Sequence, residues 1–248
     1  MIITREQFDE PQLQFIADNH TYYWGRERLR SVTQIVDTLV PPFRKAHTAA
    51  RIAAARGTTP KAILAQWEVA KQVSIAVGNA VHNFAEWAVL NLHTNLTQPA
   101  LWPGPPGGCN IDVSGYTKGV SQFLFDQPAL RRNLLPEVRI AHPELNLAGT
   151  VDAVGHDGEN YYLLDWKASK QFEYISSRHM KAPVADLFNC NFNSYALQLS
   201  LYAHILRERY DVDAQRLILV RLPGDDTYEL HHVVELIQHV AAILPRLK

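Results

Sequence analysis

Two runs decide how this chain folds: Leu147-Ala-Gly-Thr-Val-Asp-Ala-Val154 and Tyr161-Tyr-Leu-Leu-Asp-Trp-Lys167, separated by His156-Asp-Gly-Glu-Asn160. Each run is short, apolar and bounded by turn residues, and Asp-Gly is the strongest local signal for a hairpin. Strand side chains two apart share a face. Asp165 and Lys167 therefore project together from the end of an apolar strand, and hairpin pairing brings Asp152 to the same point. Two carboxylates and an ammonium at a sheet edge suit a hard divalent cation, magnesium or manganese. The lysine then orients a water while the ion polarises a phosphoryl oxygen. Glu137, in the preceding strand-like run Pro136–His142, adds a carboxylate. An Asp-x-Lys pair on a strand is also a common surface ion pair worth ~0–1 kcal/mol. Leu163-Leu164 points away from that reading, because charged side chains in a buried strand are rare without a partner or a role.

Working outward, Gln14–Ile35 reads as a short hairpin around Asp18-Asn19-His20, leading into Ser31-Val-Thr33. Ala46 to Leu92 is Ala-rich, with Pro60 placed to open a helix. Two or three helices are expected there, the last from about Val69 to Leu92. The cluster Pro99, Pro103, Gly104, Pro105, Pro106, Gly107 and Gly108 ends regular structure. Tyr116–Asp126 is helical. After the hairpin, Ser169–Asn193 is irregular, Ser194–Tyr210 is an amphipathic helix, and Arg216–Leu222 is a strand. Thr227–Val234 is a further strand candidate before a closing helix to about Leu247. The order predicts an α/β or α+β core around a mixed sheet flanked by helices. It forms a single domain over 1–248, with a hairpin and helical part (1–115) and a core (116–248).

The chain has 248 residues, a net charge of −1 and 47% hydrophobic residues. That balance excludes a polybasic protein that holds nucleic acid by bulk charge, though not a local basic patch. Cys109 and Cys190 are too few for a four-thiolate zinc or iron–sulfur site and read as plain thiols. No run approaches the ~18 apolar residues of a membrane span, and Met1–Glu10 lacks the apolar core of a signal peptide. The expectation is a soluble, cytoplasmic or otherwise intracellular protein with no membrane partner. No Gly-x-x-x-x-Gly-Lys-Ser/Thr loop and no Gly-x-Ser-x-Gly elbow occurs.

Glu137, Gly149-x-x-Asp152, Asp165-Trp-Lys167 and Gln198-x-x-x-Tyr202, in that order, resemble the PD-(D/E)XK nuclease superfamily, and more narrowly its RecB-like branch. Gly78-Asn-Ala-Val-His82, with Glu86 one turn on, resembles the upstream histidine motif of that branch. Ser31-Val-Thr33 and Ala54-x-Arg56-Gly57 are similar to the single-domain exonucleases related to the mitochondrial genome maintenance exonuclease and its phage counterparts. The resemblance spans about Ser31 to Tyr202, and its ordered set is more specific than any single motif. It departs at Val151-Asp152, where the superfamily's name has Pro-Asp. The cysteine count sets the chain apart from the iron–sulfur relatives.

The resemblance implies a restriction-endonuclease-like core. His82, Asp152 and Asp165 would ligate Mg or Mn, with the Trp166 carbonyl as a further oxygen. Lys167 would position water, and Glu137 would be an accessory acid. Gln198 and Tyr202 would orient the lysine or touch the nucleic-acid backbone. The expected activity is metal-dependent DNA exonuclease action on single strands or ends. Lys170 and Arg178, among the aromatics up to Phe192, would track a strand. The alternative is a nuclease-like fold serving as a DNA-binding or assembly module without chemistry. His82 also reads as a packed core histidine, and Gln198/Tyr202 as an ordinary amphipathic pair. Tyr22-Tyr23-Trp24 and Trp67 read as core aromatics or, less often, base-stacking platforms. His231 and His232 face opposite ways on a strand and share no metal.

Overall fold

The computed structural model describes residues 3–91, 102–105 and 110–247. Three antiparallel strands come first: β1 (Leu13–Ile16), β2 (Thr21–Trp24) and β3 (Glu27–Ser31). His20, at φ 50°, makes the turn that Asp18-Asn19-His20 predicts. Extended structure stops at Ser31, short of Ile35. The Ser31 hydroxyl accepts from the Gln34 N–H at 3.0 Å, and the Gln34 side chain accepts from the Ser31 N–H at 3.1 Å. Such a reciprocal cap, worth ~1 kcal/mol, starts a helix, α1 (Val32–Leu39).

Next come α2 (Lys45–Arg56), stopped by the left-handed Gly57, and α3 (Pro60–Asn91). The start expected near Val69 is corrected to Pro60. Nothing between Pro60 and Gly78 breaks a helix, so α3 runs 32 residues, or about 48 Å at ~1.5 Å per residue. Of the loop that follows, Pro103, Gly104 and Pro105 are described; Pro99, Pro106, Gly107, Gly108 and Cys109 lie outside the described residues. Two helices, α4 (Ser114–Asp126) and α5 (Pro128–Arg131), lead to β4 (Leu134–His142), β5 (Leu147–His156) and β6 (Tyr161–Ala168). The chain closes with α6 (Asn191–Tyr210), β7 (Arg216–Leu222), β8 (Glu229–Val233) and α7 (Ile237–Ile243).

The eight strands form one mixed sheet, ordered β1-β2-β3-β5-β6-β7-β8, with β4 on the second edge of β5. The parallel pairs are β3–β5 and β6–β7. Because β3 bonds to β5, the stretches before and after residue 115 share this sheet. Helices α1, α6 and α7 pack on one face against Val138, Ile140, Leu163 and Leu219. The second half of α3 and α4 pack on the other, against Leu164, Trp166, Ile218 and Val220. No helix among the described residues is long and apolar enough to cross a membrane.

Candidate metal centre

β3 and β6 share one edge of β5. β3 occupies it at Leu147 and Ala148, and β6 from Ala153 onward. Between them, from Gly149 to Asp152, that edge has no strand partner. β3 leaves where the Ser31 cap starts α1. β6 leaves where the Asp152 carboxylate accepts the Trp166 N–H at 2.8 Å, in place of a backbone partner. The sheet forks, and both helix layers reach the gap.

Four elements fill it. From α3, His82 Nε2 lies 3.0 Å from the Trp166 carbonyl oxygen, and Nδ1 lies 3.4 Å from Asp152 Oδ2. From β4, Glu137 stands opposite Asp152 at φ 48°, a left-handed conformation costing ~1–2 kcal/mol for a residue with a Cβ. Register is unbroken on either side, Pro136↔Ala153 and Val138↔Val151, so the strain re-aims one side chain without adding a residue. Arg5 holds this stretch by donating to the Pro136 and Glu137 carbonyls at 2.5 and 3.5 Å. His82, Glu137 and Asp152 each offer a ligand atom, all within 4.8 Å of one another. From β6, Lys167 Nζ sits 2.6 Å from Asp165 Oδ2. That oxygen is buried and accepts no hydrogen bond of good geometry, so its tie to Lys167 is charge contact.

The electrostatics follow from crowding. Partial burial opposes charge on His82, but Asp152 outweighs it and raises the imidazole to about 9. Burial likewise works to raise Asp152, while His82 and Lys167 hold it below the usual carboxylate range. Burial raises Asp165 against the pull of Lys167. Burial, then repulsion from Asp152, pushes Glu137 up to about 7. Lys167 is opposed by burial but raised by Asp165 and Asp152, so it stays an ammonium at neutral pH.

Helix α6 walls the lysine side. The Lys167 ammonium lies 4.6 Å from the centre of the Tyr195 ring, within cation–π range. Gln198 donates to the Tyr202 hydroxyl at 3.2 Å, and the Tyr202 ring lies under Gly149. A Cβ on Gly149 would stand 2.5 Å from Tyr202 Cε1, which explains a glycine three residues before Asp152. Tyr22, buried, bonds Thr150 Oγ1 at 2.8 Å. A cleft of about 630 Å³, lined in part by Arg5, Glu86, Leu90, Glu137 and Arg139, opens beside the cluster.

The structure thus brings His82, Glu137 and Asp152 together as possible ligands; of the other expected ligands, Asp165 faces Lys167 and the Trp166 carbonyl faces His82, so neither joins that group. Gln198 and Tyr202 stand behind them. Lys170 is exposed just beyond β6, and Arg178 donates to the Pro42 carbonyl at 3.3 Å. His231 is occupied by Tyr174 and Glu229, at 2.6 and 3.2 Å. Cys190 is a buried free thiol. Sequence reasoning missed Tyr195, although it shares a helix face with Gln198 and Tyr202. It also missed Arg5, which nothing in the sequence pattern marks. No protein-family model matches the chain, and a search of curated proteins returns no match.

Proposed function

We propose that this chain is a divalent-metal-dependent nuclease of the PD-(D/E)XK type, RecB-like in its motifs and restriction-endonuclease-like in its core. In this reading it hydrolyses DNA phosphodiester bonds as an exonuclease. One observation carries the reading: the fork in the sheet gathers His82, Glu137 and Asp152 within 4.8 Å, beside an ammonium that is itself paired to a carboxylate. The donor set, an imidazole and two carboxylates, suits Mg or Mn, while Asp165 Oδ2 is occupied by the Lys167 ammonium at 2.6 Å. His82, Glu137 and Asp152 are the groups that would hold the ion; the Trp166 carbonyl, expected as a ligand, instead faces His82 Nε2, and Asp165 is paired with Lys167 beside them. When bound, the ion supplies Lewis-acid polarisation of the phosphoryl oxygen.

The remaining work falls to the chain. Lys167, fully protonated, orients the attacking water and stabilises charge growing on the phosphate; it does not take the water's proton. Asp165 and Tyr195 fix its position. The His82 Nε2–H donates to Trp166, which aims Nδ1 at Asp152, and that nitrogen must lose its proton before it can ligate. A second reading, a fold retained for binding without chemistry, draws on the mutual pairing of His82 with Asp152 and of Lys167 with Asp165. It leaves the strained Glu137 without a purpose. Cleavage of end-labelled single- and double-stranded DNA in Mg, Mn and EDTA decides between them. Metal-dependent shortening that Asp152→Asn abolishes is expected; no cleavage under any condition would overturn the proposal.

A further inference from the structure

Helix α3 lives in two environments. From Val77 to Val89 it is packed against the sheet and α4. From Leu64 to Ile75 every residue except the half-buried Trp67 is exposed, and Ile63 packs with Ala49 and Ala53 of α2. α2 and the first half of α3 therefore form an arm whose packing is with itself.

The arm's charge departs from the rest of the molecule. Residues 43–76 carry Arg44, Lys45, Arg51, Arg56, Lys61 and Lys71 against the single carboxylate Glu68, a net +5 in a chain of −1. All six cations are exposed, and the ion pairs found among the described residues use other cations. A groove of about 310 Å³ runs along the arm between Phe43 and Lys45 on one side and Leu64, Trp67, Glu68 and Lys71 on the other. Phe43 is 55% exposed, its ring centre 5.6 Å from that of Trp67.

We infer that this arm binds a strand of nucleic acid, with phosphates on its cations and a base against Phe43 and Trp67. A basic track with aromatic platforms is how sequence-tolerant strand binders work. The arm also exposes Leu64, Val69, Val73 and Ile75, apolar side chains that an anionic membrane would use; the Phe43–Trp67 ring pair between Lys45 and Lys71 favours a strand, and the membrane is the competing outcome of the test. The arm leads into the candidate centre through α3. Arg178 bonds Pro42 at its root, and α3 continues from Trp67 to His82, ~22 Å along one helix at ~1.5 Å per residue. The inference deepens the proposed function by naming how the substrate is held, but charge and rings carry it, not the metal cluster.

The test is equilibrium binding of a labelled oligodeoxythymidylate to the full chain in EDTA over a series of salt concentrations. The wild type should bind with steep salt dependence. Combining Arg51→Glu, Arg56→Glu and Lys61→Glu should weaken binding more than about tenfold and flatten the salt slope by ~0.7 for each phosphate no longer neutralised. Phe43→Ala should weaken it by roughly tenfold with the slope unchanged. Melting temperatures near wild type are expected for both, since the altered side chains are exposed. Failure of the wild type to bind, arm variants that bind like wild type, or preference for phosphatidylserine vesicles over the oligonucleotide would each overturn the inference. Binding through the arm with no cleavage in Mn would instead overturn the proposed activity and leave the arm assigned.

Discussion

The two ends of the β5–β6 hairpin use the same residue type in opposite ways. At the turn, Asp157 accepts from the Glu159 and Asn160 N–H groups at 2.9 Å each and from the Tyr162 hydroxyl at 2.6 Å. The Tyr162 bond, then the backbone ones, holds its carboxyl at about 2. Strand pairing there is continuous from Ala153↔Leu164 to His156↔Tyr161. At the other end pairing stops, and Asp152 and Asp165 sit among charged neighbours with few neutral donors. Neutral donors settle a carboxylate and leave it inert. Charged neighbours leave it dependent on whichever cation arrives, whether proton, ammonium or metal.

Asp165→Asn should break this contrast most severely. Cleavage should fall by several orders of magnitude with melting temperature near wild type, while Asp157→Asn at the turn keeps full turnover. Near-normal rates for Asp165→Asn in Mg would erase the functional difference between the two ends. Lys167→Ala comes next, with a loss of ~10²–10³ in rate. Calorimetric Mn binding should persist in that variant; if it vanished, Lys167 would be a counter-ion holding the carboxylates in place.

His82→Ala should lower Mn affinity and reduce rates more in Mn than in Mg, because manganese accepts nitrogen ligands more readily. Equal losses in both metals with ~1–3 kcal/mol less stability would mark a packed core histidine instead.

The smallest effect is a pair of opposite pH limbs in metal-free stability. Glu137, raised from an ordinary 4.5 to about 7, favours the folded state at low pH and withdraws roughly 1–3 kcal/mol as pH climbs between those values. Asp157, lowered from 3.8 to about 2, contributes stability above 3.8 that disappears as pH falls toward 2. Thermal melts in EDTA should show Glu137→Gln flattening the upper limb and Asp157→Asn the lower. A curve unchanged by either variant would mean that neither end titrates as described.

The paired strands and α6 were legible because apolar runs and the Asp-Gly turn are local signals. So was the approach of Asp152, Asp165 and Lys167, which needs only strand alternation and one hairpin. The length of α3 was not. Its exposed half buries nothing on the sheet, so the apolar periodicity that marks a packed helix begins only near Val77. The fork itself lay beyond sequence reading, since it depends on β3 and β6 competing for one edge of β5 from opposite sides of the chain. The positive φ of Glu137 and the grip of Arg5, 131 residues away from Pro136, are likewise products of tertiary packing.

The pairing of Arg30 with Leu147 spans 117 residues, and contacts that distant form late because a long loop must close first. A chain emerging from the ribosome has β1 to α3 in hand, His82 among them, long before β5 exists to receive β3. The carboxylates of β5 and β6 follow the histidine by 70 and 83 residues. A growing chain therefore carries no complete cluster until most of it has been made, and the assembly of these charged groups is timed by topology.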